Sequence, residues 1–328
     1  MRRRLLSLTA AALAAPFILP MAARHARAQS AAFPSRPLRI IVPFLAGSGS
    51  DSGARAYAEG IGRHLGQPVV VDNRPGASGA VAALAVKAAP ADGHTLFIGS
   101  NSPMAVNFVL SKSLPYDPLK DFRAVHGMLA GPAAILVRPD SPIRSVADLV
   151  AAARREKRPV NIGNYSEGYM LIATWLGLVG GFEVNHVTYK GGAQMQTDLI
   201  GGQLEVGTND LSGVAPLMRE GRLRAIAITA EKRDPKFPDV PTVKESGFPE
   251  FETYTWAGFF VRSETPDDIT AKLAEAVRVA MNSPEGKAYQ AANTTTPLML
   301  GPKEFGDYQR REIDRFRKVA DQAGLQPK

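Results

Sequence analysis

The chain has 328 residues, with 39 Lys and Arg against 31 Asp and Glu, a formal net charge of +8 and no cysteine. The lack of cysteine excludes disulfides, thiolate metal sites and cysteine nucleophiles together, so stability must come from core burial. The length is enough for two domains.

Residues 1–28 read as a cleavable signal peptide. Arg2, Arg3 and Arg4 make a basic start, Leu5 to Ala23 is apolar apart from Ser and Thr, and Ala26-Arg27-Ala28 has the small-x-small form that a signal peptidase cuts. Pro16 and Pro20 interrupt the apolar run, which falls short of the ~20 residues of a membrane span. The paired arginines before Leu5-Leu6 leave the twin-arginine route open beside the general secretory one, and a periplasmic location is expected. The segment holds five arginines and no acid, so its removal takes the formal charge from +8 to +3. No basic stretch interleaved with aromatics remains to make a case for nucleic acid.

Strand and helix signals then alternate. Leu38–Phe44 is a continuous apolar run, as in a strand buried on both faces. Ala54, Ala58, Ile61 and Leu65 fall on one helical stripe that Asp51 or Ser52 could cap. Pro68–Val71 is a strand, Ala80–Lys87 a helix and Thr95–Gly99 a strand. Ala134–Val137 opens a second set, followed by a helix up to Arg155 that Ser145 and Asp148 could start as a capping box. Strands are expected at Val160–Gly163, Val184–Thr188, Leu204–Gly207 and Leu223–Thr229, with helices around Leu171–Leu178, Gln194–Ile200 and Val214–Arg219. Tyr254–Val261 is an apolar, aromatic strand. Thr265-Pro266-Asp267-Asp268 starts a helix with a threonine cap and proline at the first position. The last helix, Lys303 to Ala323, carries Phe305, Tyr308, Phe316, Val319 and Ala320 on one stripe. Such alternation indicates parallel βαβ units. Two α/β blocks of similar size fit a bilobed receptor with its ligand between lobes, and the strands near Ala134–Val137 and Tyr254–Val261 are the expected crossings between them.

The richest stretch is Pro34–Gly79, where two glycine-rich loops lie at the carboxyl ends of strands, the place at which open α/β sheets bind ligands. The first loop runs straight into a helix, whose dipole and free N–H groups favour an anion. Gly47, Gly49 and Gly53 with Asp72 approach a dinucleotide fingerprint, but Ser52 stands where the pattern needs glycine. No G-x-S-x-G elbow occurs, since Gly76-Ala77-Ser78-Gly79 places its second glycine one residue early. His64, His94, His126 and His186 are well spread, without H-x-x-x-H spacing. Three further polar loops end strands: Gly99-Ser100-Asn101-Ser102, Gly163-Asn164-Tyr165-Ser166 and Thr208-Asn209-Asp210. Each alone is ordinary turn chemistry; together with the opening loops they could converge on one cleft. Arg74 and Lys190 could offer charge to an anion or simply be solvated.

Across almost its whole length the chain resembles the periplasmic solute receptors of tripartite tricarboxylate transporters, the Bug group. The resemblance is carried in order by PSRPLRIIVPFLAGSGSD (34–51), LGQPVVVDNRPGASG (65–79), ADGHTLFIG (91–99), VTYKGG (187–192), TDLIGGQLE (197–205), GRLRAIAIT (221–229), FPDVPTVKESG (237–247) and WAGFFVRSETP (256–266). It implies a type II periplasmic binding fold, with two Rossmann-like α/β lobes closing over a small carboxylate held largely by backbone amides. It also implies no catalysed reaction, no cofactor, no metal, a membrane transporter as partner and a monomeric receptor. The implied lobes are residues 29–131 with 253–328, and 132–252.

Carried over by position, the ligand-binding residues are Phe44, Leu45, Ala46, Gly47, Ser48, Gly49 and Asp51 from the first loop, and Asn73, Gly76 and Ser78 from the second. Ser100, Asn101, Ser102, Asn164, Tyr165, Ser166, Tyr169, Asn209 and Asp210 complete the set. The chain departs from the family pattern in two places. Ser48 replaces the second glycine of A-G-G. The family's G-S-x-G-x-G-S-x-x-H becomes Gly163-Asn164-Tyr165-Ser166-Glu167-Gly168-Tyr169-Met170-Leu171-Ile172. Tyr165 and Tyr169 point to an aromatic or larger apolar acid, because rings add stacking area to a site otherwise built from backbone. An exported ligand sensor that signals to a partner protein would have the same fold and cleft.

Overall fold

A computed structural model describes residues 33–327, so the signal-peptide reading lies outside the described residues. Two sheets organise the chain. The first contains β1 (Leu38–Val42), β2 (Val69–Asn73), β3 (Thr95–Ser100), β4 (Phe122–Gly131), β10 (Thr255–Arg262) and β11 (Thr296–Pro297), in the order β11-β4-β10-β3-β1-β2. The second contains β5 (Ala133–Val137), β6 (Val160–Asn164), β7 (Val184–Thr188), β8 (Val206–Asp210) and β9 (Arg224–Ile228), in the order β7-β6-β8-β5-β9. We call these lobe one and lobe two.

Neither sheet is wholly parallel, as alternation alone had suggested. β1 runs parallel to β2 and β3, but β10 is antiparallel to both β3 and β4. In lobe two β6 is parallel to β7 and β8, whereas β5 is antiparallel to β8 and β9. β5 and β10 are the strands entered after the chain changes lobe, so no crossover helix dictates their direction, and β11 is in turn antiparallel to β4.

Strand alternation sends side chains to opposite faces. Ile40, Leu96, Ile98 and Phe259 pack under α1 (Gly49–Leu65) and α8 (Asp267–Asn282), while Ile41, Phe97 and Phe260 face α2 (Ala80–Lys87) and α10 (Pro302–Gln322). In lobe two Ile135, Val137 and Ile162 pack with α4 (Val146–Glu156) and α5 (Glu167–Gly180). Ala134 and Leu136 face α6 (Gly192–Ile200) and α7 (Leu211–Arg219). The apolar cluster that includes α2, α5 and α10 is continuous from one lobe to the other.

The helix starts are informative. Ser48, not Asp51 or Ser52, caps α1: its Oγ accepts from the Asp51 N–H at 3.3 Å, so the first loop is shorter than its glycines suggest. Ser145 caps α4 as expected, accepting from the Asp148 N–H at 3.1 Å. Thr265 does not cap α8; Pro266 holds that position without a side-chain bond, and the helix begins one residue later than read. The sequence reading left β4, β11, α9 (Pro284–Ala292) and the segment after β3 unassigned. That last segment is a π-helical turn, Ser102–Val106, leading into α3 (Asn107–Leu110). Arg123, His126 and Gly127 break the apolar run of β4, and its place between β10 and β11 hides them from local pattern reading.

The crossings also differ from expectation. β5 lies wholly in the second sheet and β10 wholly in the first, so each follows a crossing rather than spanning it. The chain passes between lobes at Gly131–Ala133 and again between Ile228 and Thr255. Thr229 ties these passages: its Oγ1 accepts from the Ala133 N–H at 2.9 Å and donates to the Thr253 carbonyl at 2.7 Å. Thr255 Oγ1 donates to the Gly131 carbonyl at 3.1 Å.

Candidate functional site

Five strands end toward the space between the lobes, and the segment after each begins a helical turn: α1 after β1, the π turn after β3, α5 after β6, α6 after β7 and α7 after β8. First-turn N–H groups have no acceptor within their own helix, and each helix end adds partial positive charge. In α1 these are Gly49 and Ser50, which line the cleft with Asn101 and Ser102 of the π turn. The π turn is braced from behind, because Tyr116 OH donates to the Pro103 carbonyl at 2.7 Å and Gln309 Nε2 to the Met104 carbonyl at 3.0 Å.

The lobes touch across the cleft through polar contacts. Ser102 Oγ donates to Ser166 Oγ at 3.0 Å and accepts from the Gly168 N–H at 3.1 Å, while Ser78 Oγ accepts from the Glu167 N–H at 3.1 Å. Two lobe-one serines thus satisfy the amino end of α5 in lobe two. Ser78 reaches it from a left-handed run, with φ of +136°, +45°, +50° and +91° at Gly76, Ala77, Ser78 and Gly79. The non-glycine residues there are strained, a cost concentrated at functional loops. Gly168 permits the approach: a Cβ on it would lie 2.4 Å from Asn101 Nδ2 and 2.8 Å from Ser102 Oγ.

The cleft has an inner chamber of about 40 Å³ and an outer one of about 230 Å³. Phe44, Ser48, Gly49, Ser100, Asn101, Ser102, Tyr165, Ser166, Tyr169 and Asp210 line the inner chamber, and Leu45, Ala46, Gly47 and Asn209 join at the outer one. Three buried polar atoms of lining residues have no partner among the described residues: Ser100 Oγ, Asn209 Nδ2 and Trp256 Nε1. An unmet buried group costs about 1–3 kcal/mol, so these atoms call for a polar occupant. A wider depression of about 660 Å³ lies outside the cleft against α1 and β2, lined by residues such as Arg55, Glu59 and Val69; no unpaired buried atom belongs to it.

Lobe two supplies the one carboxylate among the described residues of the lining. Asp210 caps α7, its Oδ1 accepting from the Gly213 N–H at 2.6 Å and Ser212 Oγ at 3.0 Å. Its Oδ2 accepts from Tyr165 OH at 3.2 Å and Tyr169 OH at 3.4 Å. The two rings lie 4.7 Å apart, and Phe44 meets Tyr165 edge-on at 6.1 Å. Burial, with the Tyr169 neighbour and the Asp210 charge, pushes the Tyr165 phenol well above its ordinary value, and burial with the Asp210 charge does the same for Tyr169 against a smaller opposing bond with Tyr165, so both stay protonated donors.

Five residues read from sequence as ligand contacts stand elsewhere. Asp51 is buried behind the first loop, accepting from the Gly47 N–H, Arg55 Nε and Asn73 Nδ2, each at 2.9 Å. Burial alone would raise its carboxyl, but the bonds from Arg55, Gly47 and Asn73 hold it below the usual range. Asn73 also donates to the Phe44 carbonyl at 3.0 Å, so the pair shapes the loop. Asn164 turns to His186, 3.4 Å away, and Gly76 and Ser78 serve the strained turn. Arg74 bridges to Asp72 at 3.1 Å, and Lys190 lines the outer chamber. Trp256, Leu129, Thr255 and Ala257 also line the cleft and were missed. Trp256 opens the WAGFF segment, but its access to the cleft depends on β10 pairing with β4.

Residues 53–325 match the family model described as the tripartite tricarboxylate transporter family receptor. Three solved structures are similar over nearly the whole chain. "R. palustris Rpa4515 with adipate" is 33% identical, covering 90% of this chain and 100% of that one with a TM-score of 0.86. MatC (Rpa3494) from Rhodopseudomonas palustris, with bound malate, is 29% identical, covering 88% and 99% with a TM-score of 0.83. The periplasmic binding protein BugD is 26% identical, covering 90% and 99% with a TM-score of 0.84. The chain therefore belongs to the tripartite tricarboxylate transporter receptor family, a family of periplasmic solute-binding receptors rather than enzymes, and shares their two-lobed α/β fold.

Proposed function

We propose that this protein captures a small organic carboxylate in the periplasm by closing its two lobes, and delivers it to a tripartite tricarboxylate-type membrane transporter. The observation that carries the reading is the set of buried, unpaired polar atoms (Ser100 Oγ, Trp256 Nε1, Asn209 Nδ2) on residues that line a cleft ringed by helix N-termini. Their donors, with the first-turn N–H groups of α1 and the π turn, suit a carboxylate in a site with no arginine among its lining residues. The adipate and malate bound by the two similar R. palustris structures support the same ligand chemistry.

Closure follows from linkage. A ligand that contacts both lobes shifts the open–closed equilibrium by its differential affinity for the closed form. Ser78, Ser102 and the ring contact of Phe44 with Tyr165 already couple the lobes beside the continuous apolar cluster, so the ligand adds to an existing interface. Calorimetric titration with a panel of mono-, di- and tricarboxylates tests the reading. One of them should bind at about micromolar affinity, near −8 kcal/mol, and reduce the radius of gyration in small-angle scattering. No binding by any carboxylate at millimolar concentration overturns it.

A further inference from the structure

Among the described residues lining either chamber, Asp210 is the only carboxylate; no Arg, Lys or His lines the inner chamber, and Lys190 lines the outer one. It is fixed by its bonds from Gly213 and Ser212 at the start of α7, and Oδ2 faces the two tyrosines. Tyr165 has a single hydroxyl proton and stands 3.2 Å from both Asn209 Oδ1 and Asp210 Oδ2. Tyr169 is farther, at 3.4 Å. Oδ2 therefore keeps acceptor capacity on the cleft side. The Asp210 carboxylate is half-buried and has no ion-pair partner among the described residues, and the two tyrosines that bond to it carry π-systems that attract cations.

Around the inner chamber the two lobes thus offer opposite chemistry, the Lys190 side chain and the amino end of α6 belonging to the outer one. In lobe one the amino ends of α1 and the π turn present Gly49, Ser50, Asn101 and Ser102 with no acid among the lining residues. In lobe two the amino end of α7 already carries Asp210, so its partial positive charge is met by the protein itself. A ligand with a second carboxylate on that side would meet a like charge.

Resting on the carboxylate-receptor reading above, we propose that the ligand is a monocarboxylate bearing a cationic nitrogen: its carboxylate lies on the lobe-one helix ends, and its ammonium group lies at Asp210 against Tyr165 and Tyr169. The arrangement differs from what adipate or malate, each with two carboxylates, would require.

The test is a calorimetric comparison of ligands matched in length but differing at one end: 4-aminobutanoate (cationic), pentanoate (neutral) and glutarate (anionic), repeated with β-alanine, butanoate and succinate. The purified protein should bind the amino acid of each trio at least about tenfold more tightly than its partners, a factor of ten being about 1.4 kcal/mol. Asp210→Asn keeps a good helix cap, because Asn and Asp are equivalent there. It should lose that tenfold preference, with the thermal midpoint of the unliganded protein held. Equal or tighter binding of the dicarboxylate or the neutral acid in both trios overturns the proposal and leaves the carboxylate reading standing. Binding of no carboxylate at all overturns both.

Discussion

Asp51 shows how a single side chain can serve the ligand without touching it. Its carboxylate gathers the Gly47 N–H, Arg55 and Asn73, and so sets the course of the loop that carries Phe44, Ser48 and Gly49 into the cleft. Asp51→Asn puts a donor where these donors converge, and should cost about 1–3 kcal/mol at neutral pH, the penalty for an unmet buried group. The pH dependence has a definite sign. The folded-state carboxyl lies below its ordinary value. The stability it contributes is therefore present above pH about 4 and is lost as pH falls through the folded-state value. Urea unfolding at pH 7 and pH 3 should show the gap between wild type and variant closing in acid. A gap of equal size at both would show that the charge is not what holds the loop.

Helix α5 joins chemistry to closure at the level of the element. Its amino end lacks a cap from its own Ser166 and is satisfied by Ser78 and Ser102 of the other lobe, so the helix is completed only when the lobes meet. Gly168 makes room for that contact. Gly168→Ala should favour the helix itself, where glycine costs roughly 0.5–1 kcal/mol relative to alanine. The added Cβ would nonetheless collide with Asn101 and Ser102. The expected outcome is at least about a tenfold loss of ligand affinity, some 1.4 kcal/mol, with helix content by circular dichroism unchanged. Unaltered affinity would mean that the approach of α5 to the π turn is not needed for binding. Sequence pattern could show that a helix follows β6, but not that its first turn borrows hydroxyls from 66 and 89 positions away.

For the molecule as a whole, the buried threonines at the crossings act as the joint. Thr229→Val removes one bond to each passage and leaves the Ala133 N–H and Thr253 carbonyl unmet, a loss of about 2 kcal/mol or more. Its urea midpoint should fall by a corresponding amount; no shift would show that the passages are held by packing alone. Local signals in the sequence were enough to place most βα units and the glycine-serine loops between them, since strand and helix periodicities and turn residues act over a few positions. They also placed Tyr165, Tyr169 and Asp210 in loops or first turns at strand ends. Only the tertiary structure decided which polar groups are spent on building the loops, as Asp51, Asn73 and Asn164 are, and which line the cleft, as Ser100, Asn209, Asp210 and Trp256 do. It also decided that β4 lies between β10 and β11. The physical reason is the same in each case: a polar side chain takes the partner that folding brings within reach. For Ser102 that partner is Ser166, 64 positions along the chain.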